Sequence, residues 1–442
     1  MTATPPHAPR WTTPRVLSAL LGLAWLASAL VLAVGLRALD ADRAALRVLR
    51  TEAAPTIVVA QQLGAELAGL DAQLAVSMLA AGPARHAAQE QFEAGRAAVA
   101  RRLVDAASYV TLGDAERTPV VVMTEELGRY LELAARAQAL YASGDRDGAL
   151  GLVRQATDHM HERILPRALD LDRIKRDHLD LRYEAAQARS QGFEVEAIAA
   201  GALLLVVLLG AQVFVRVRMR RRVVPALLVA AIVAAAFTSY LVGRFRVARE
   251  DRRVARDDAF NSLHLLWRAR AVAEDARGDD VRWLLDRPRA AFYQSAYSVK
   301  IAQLSSEPAT TKPADDAGGL LPDEVRNVTF DGERDAAQAA VDALADVTHA
   351  DDAVRRLERS GNHEGAVDHA LALRSDGARA AFERLDAALQ ATIAINQSAF
   401  DAVLGRADSG LRRAEWVDPA VALVLALFAW LGIRPRVREY AG

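Results

Sequence analysis

The side chains able to do chemistry are few and scattered. The chain has nine histidines and no cysteine, so disulfides and thiol chemistry are excluded. The closest histidine pair, His159 and His161 in "HMHERILP", is two residues apart, which puts the two on different faces of a helix. His363 and His369 flank a turn and the helix after it. The phosphate-binding pattern G-x-x-x-x-G-K-[ST], the dinucleotide pattern G-x-G-x-x-G, the nucleophile elbow G-x-S-x-G and the zinc motif H-E-x-x-H are all missing. The expectation is a protein with no catalytic residues, cofactor or metal site, and not an enzyme.

Two polar residues interrupt apolar stripes. Asp71 lies four residues after Leu67 and three before Leu74. Asn396 follows Leu389 and Ile393 and precedes Phe400 and Val403. A carboxylate or amide so placed needs internal partners. Each is a candidate bundle site, either as a core polar group that sets helix register or as a ligand contact. Glu116, Arg117, Glu333 and Arg334 sit in two related turn words and form a candidate surface at repeat corners. A third group is the arginine run "RVRMRRRV", with Arg216, Arg218, Arg220, Arg221 and Arg222.

The elements that must position these residues are helices. Aromatic residues make up 6% of the chain against 52% hydrophobic residues, a composition that suits helices better than strands. Four runs are long and apolar enough to span a bilayer: 16–36, 197–215, 223–243 and 416–433. The first continues into a charged helical pattern and reads as an uncleaved anchor. Residues 1–15, 216–222 and 434–442 then lie on one side and carry ten basic residues against one acid. Lys and Arg mark the cytoplasmic side, so both termini are expected inside a bacterial plasma membrane. Trp11, Trp416 and Trp430 near span ends fit interfacial positions. The arginine run is then a topological pin and a cytoplasmic contact. Seven residues clamped between two spans reach no nucleic-acid groove, so no nucleic-acid partner is expected; contact with anionic lipid follows from position.

Segments 37–196 and 244–415 are expected to be extracytoplasmic helical bundles. Leu63, Leu67, Leu70, Leu74 and Met78 recur at helical spacing, and Gly82-Pro83 ends that helix. Leu171, Ile174, His178 and Leu181 form a second stripe. "VTLGDAER" (110–117) is echoed by "VTFDGER" (328–334), and "SGDRDGAL" (143–150) by "SGNHEGAV" (360–367). The echoes keep their spacing, which predicts a tandem duplication of span, bundle and span, with an insertion at 305–322. The fold class is therefore all-α: four membrane helices and two tandem helical bundles.

"APTIVVAQQLGAELAGLDAQLA" (54–75), "NVTFDGERDAA" (327–337) and "AINQSAFDA" (394–402) resemble the actinobacterial four-span membrane proteins of the GlnX type. That resemblance implies partnership with a glutamine-type solute-binding lipoprotein, GlnH, outside and with serine/threonine kinase G inside. No family active site comes with it. The bundles are also similar in architecture to the four-helix sensor domains of bacterial chemoreceptors, an analogy of fold. The expected role is a transmembrane sensor and relay, in which packed helices shift between states that a ligand binds unequally. The alternatives are an envelope scaffold, with a homo-oligomer compatible with it, or an accessory transport subunit. Intramembrane charge, the usual mark of transport, is nearly absent; Asp418 alone lies near a span.

Overall fold

Every element in the computed structural model is a helix among the described residues, which are 13–47, 50, 54–110, 113–219, 224–305 and 319–438. Arg220, Arg221, Arg222, most of residues 1–15, most of the 305–322 insertion and the end of the 434–442 tail lie outside them. The helices are α1 (Thr13–Arg47), α2 (Ala54–Leu79), α3 (Gly82–Ser108), α4 (Asp114–Ala142), α5 (Arg146–His159), α6 (Leu165–Met219) and α7 (Pro225–Arg253). They continue as α8 (Asn261–Leu285), α9 (Ala290–Ser305), α10 (Leu320–Arg326), α11 (Glu333–Arg359), α12 (His363–Leu371) and α13 (Ala378–Arg438). Four of these helical stretches are long and apolar enough to cross a membrane. The protein is an all-α, multi-pass membrane protein.

The chain divides into two units, one of residues 1–48, 181–253 and 403–442, the other of 49–180 and 254–402. The first holds the apolar runs. Its buried contacts include Leu17, Val31, Leu204, Leu208, Phe237, Leu241 and Leu425. Small residues bring helices close there: a Cβ on Gly201 would collide with the Thr238 side chain. Asp418 is buried and accepts from Arg244 Nη1 at 2.6 Å, while Arg244 Nη2 donates to the Gly35 carbonyl at 3.1 Å. The one acid inside an apolar run thus ties three membrane helices together.

The second unit combines both of the segments expected as bundles. α2 packs along α8, so the two halves share an interface within one unit. α2 supplies Leu63, Leu67, Leu70 and Leu74 to a core with Met123, Leu127, Tyr130, Val153 and Met160. The second half packs Leu266, Trp267, Leu344, Val347, Leu385 and Leu389, joined by Ala65 of α2.

The words at 143–150 and 360–367 fold alike. Gly144 and Gly361 have φ of 94° and 81°, and the next residue in each case caps a helix: Asp145 accepts from the Gly148 amide, Asn362 from the Gly365 amide. One stripe differs from expectation. Leu181 is 67% exposed, and the covered face of α6 instead carries Leu171, Lys175 and Leu179. A lysine can occupy that face because a buried acid matches its charge, as described below.

Candidate functional site

The most heavily charged interior lies where α8 meets the first half. In "RGDDVRWLLD", Arg277–Asp286, the residues Asp279, Asp280, Arg282 and Asp286 are all buried. Arg282 has 1% of its surface exposed. Its Nη1 donates to Asp71 Oδ2 at 2.9 Å, and its Nη2 lies 3.3 Å from Asp279 and 3.7 Å from Asp275. The other Asp71 oxygen accepts from the Tyr130 hydroxyl of α4 and the Thr157 hydroxyl of α5, each at 3.2 Å. Burial, and then the Asp71 charge, hold the Tyr130 phenol well above its usual range.

The network extends outward. His161 Nε2 bonds Asp275 Oδ1 at 2.8 Å while its Nδ1 sits 2.9 Å from the Thr157 carbonyl. Burial alone would lower this histidine, but the Asp275 carboxylate overcomes that and raises it. Lys300 of α9 pairs with Asp275 at 2.8 Å and with Asp279. Asp71, Asp275 and Asp279 thereby face Arg282, Lys300 and His161, whose proton affinity the Asp275 carboxylate raises. Buried charge is tolerated in this form because each ion meets an opposite charge and a hydrogen-bond partner. A separate bidentate pair, Arg154 to Asp286 at 2.6 and 2.5 Å, again links α5 to the end of α8.

Gly278 leaves the room that Arg282 fills. A Cβ there would lie 2.7 Å from Nη2 and 2.9 Å from Nη1 of the guanidinium. Because that head group is held on several sides, Gly278→Ala is expected to destabilise the unit by about 1–3 kcal/mol despite better helix propensity. Chemical denaturation of the purified full-length chain measures this.

A second buried group lies further along α8 and α11. Asp280 and Asp351 are neighbours, and burial followed by the Asp351 charge pushes Asp280 well above the carboxylate range. Arg355 Nε pairs with Asp351 at 2.7 Å, and its guanidinium lies over the rings of Trp283 (4.4 Å) and Tyr297 (5.3 Å).

Between α2, α8 and the first turns of α13 runs an open groove of about 620 Å³. Gln73, Arg270, Glu274, Arg277, Phe382 and Asp386 line it. Arg270 meets Asp386 across the groove at 2.5 Å, and Arg277 meets Glu274 along α8 at 2.7 Å. Gln73, Arg277 and Phe382 also border a smaller cavity that reaches Asp280. The walls offer both signs of charge over an apolar patch, a chemistry suited to a small polar solute or a partner's side chain. Among the described residues, no group of three or more histidines and acids is placed to hold a metal.

The residues singled out from sequence divide. Asp71 and Asn396 are buried, with hydrogen-bond partners, and lie in different clusters. Arg117 and Arg334 are exposed, but Glu116 and Glu333 are fully buried and are no part of a corner surface. Glu116 pairs with Lys175 at 2.7 Å, and Glu333 accepts from Asn396 at 2.6 Å; these partners draw them inward. Arg216 and Arg218 are exposed on α6. His159 and His161 do diverge: His159 pairs with Glu126 at 2.9 Å, His161 with Asp275. Sequence reasoning missed Arg282, two of its three acids (Asp275 and Asp279) and Lys175. The density of charge in "EDARGDDVR" (274–282) on an otherwise core-forming helix was the available signal.

Residues 45–184 match the family model of an actinobacterial sensor domain. The matched segment holds Asp71, Glu116, Tyr130, Thr157, His161 and Lys175. It supports an actinobacterial sensor protein, and the spans fit one embedded in a membrane. No curated protein and no solved structure matches the chain.

Proposed function

From the sensor-domain match we infer that the chain is a transmembrane sensor that relays an external signal to a cytoplasmic partner. The observation that carries this reading is α6, one helix from Leu165 to Met219. It includes the end of the sensor-domain match at residue 184 and the apolar run 197–215. α13, Ala378–Arg438, likewise includes both Asn396 and the run 416–433. A helix shared in this way passes small shifts or rotations along its length. On the arginine asymmetry, the helical unit lies outside and both termini lie inside. A solute-binding protein is the proposed outer partner and a serine/threonine kinase the proposed inner one. The chain itself is proposed to have no enzymatic activity.

The test is affinity purification of the tagged full-length protein from its native membrane after mild cross-linking. Recovery of a solute-binding protein and a kinase is the expected result. Recovery of neither, with kinase output unchanged on deletion, would sink the relay. Replacing Arg220, Arg221 and Arg222 together with glutamine is expected to reduce kinase output at least about tenfold, a coupling loss of about 1.4 kcal/mol. Topology mapping of the same variant must show normal insertion, and normal output with normal insertion would leave the run a topological pin only.

A further inference from the structure

Glu324 on α10 and Glu333 at the start of α11 are 1% and 0% exposed. They meet at Asn396 of α13. The Asn396 amide donates to Glu333 Oε1 at 2.6 Å and to the Thr392 carbonyl at 3.2 Å, and it lies 3.5 Å from Glu324 Oε1. Glu333 Oε2 also accepts the backbone amides of Thr329 at 2.7 Å and Phe330 at 2.9 Å. Three donors converge on Glu333.

Glu324 has weaker support, from the Ser262 hydroxyl and the more distant Asn396 amide. Its Oε2 has no hydrogen-bond partner among the described residues. Neither carboxylate forms an ion pair with a lysine, arginine or histidine among them. α8 offers Ser262, which also accepts from Asn327 Nδ2 at 2.9 Å. The titratable groups of α9, which packs on α10, are engaged elsewhere: Tyr293 with Asp286, Tyr297 beneath Arg355, and Lys300 with Asp275 and Asp279. On α10 itself Asp323 pairs with Arg326. The matching corner of the first half is solved differently, since Glu116 has Lys175. Two buried carboxylates without a cation do not both stay ionised.

We propose that Glu324 and Glu333 share one proton at neutral pH and form a proton-operated latch joining α10, the α11 corner and α13, which opens in mildly alkaline surroundings. The proton on Glu324 removes one of the two like charges and serves the oxygen that has no partner among the described residues. Its loss sets two carboxylates against each other around one amide on α13. Burial, and then the Glu333 charge, push Glu324 up to about 8 from its ordinary 4.5, as the latch requires. The folded protein therefore binds more protons than the unfolded chain between these values. The latch's stabilising contribution is whole below the unfolded value and is lost as pH rises through about 8. The inference rests on this cluster alone and survives failure of the relay reading.

The test uses the full-length protein in detergent or nanodiscs. Difference infrared spectra should show a protonated carboxyl C=O band that disappears with a midpoint near 8. Glu324→Gln keeps the shape and a donor but does not titrate, so the band and the accompanying alkaline drop in melting temperature should both vanish. Should that variant fail to fold, Glu333→Gln is the second probe: with the like charge gone, the band's midpoint should move down toward the ordinary carboxylate range. The proposal is overturned by a wild-type spectrum without such a band, or by a Glu324→Gln variant with an undiminished alkaline drop. It is also overturned if calcium or sodium ions raise the wild-type melting temperature and Glu324→Gln abolishes that rise, because a bound cation would then replace the proton.

Discussion

Replacing Arg282 with methionine is expected to destabilise the helical unit by about 3–5 kcal/mol, a large share of any domain's stability. Methionine approximates the length and packing of the side chain, so little of the loss comes from a cavity. The loss comes from what stays behind. Asp71 keeps only the Tyr130 and Thr157 hydroxyls, and Asp279 keeps only Lys300. Arg282→Lys should fall between the two, since an ammonium does not reach Asp71 and Asp279 with the separate nitrogens of the guanidinium. Adding Asp71→Asn to Arg282→Met should recover a substantial part of the loss, because one orphaned charge is then gone. Denaturant titration of the three variants, read by tryptophan fluorescence, measures the differences; Trp283 lies next to the changed residue on α8. A loss below about 1 kcal/mol for Arg282→Met would mean the carboxylates neutralise at little cost, and the network would carry far less of the fold than its geometry implies.

Lys175→Met carries the second large effect, again about 3–5 kcal/mol. Lys175 Nζ sits 2.7 Å from Glu116 Oε1 and donates to the Tyr109 carbonyl at 2.9 Å. Glu116 is fully buried, so removing the ammonium takes away the cation that balances its charge in the core. The double variant Glu116→Gln with Lys175→Met should regain most of the stability, as neutral or apolar replacements of whole buried pairs often do. The comparison with the second half is direct. At the corner that holds Glu333 the helix partner is Asn396 and the nearby acid is Glu324, so charge is relieved there by a proton and not by a lysine. Failure of the double variant to recover would show that the pair holds α6 against Tyr109 by geometry and not by charge.

Much of this protein was legible in its residues. Four apolar runs, helical spacing of leucines and glycine-marked turns are local signals, and the helices fall where those signals lie: α2 ends at Leu79 before Gly82, α3 at Ser108, and α4 at Ala142 before Gly144. Asp71 and Asn396 stood out because each breaks an apolar stripe, and both are buried with hydrogen-bond partners. The sequence by itself determined helix, span and turn, since these depend on neighbours within a few positions. The tertiary structure alone decided which charges are inside. Glu116, Lys175, Asp279 and Arg282 look like solvated residues in isolation, and their burial depends on partners tens to hundreds of residues away, Asp71 and Arg282 being 211 apart. Desolvation keeps a lone charge at the surface, and an opposite charge at contact distance reverses that preference. Chain spacing holds no record of such a meeting, so the pairing of α2 with α8 had to be seen in the fold.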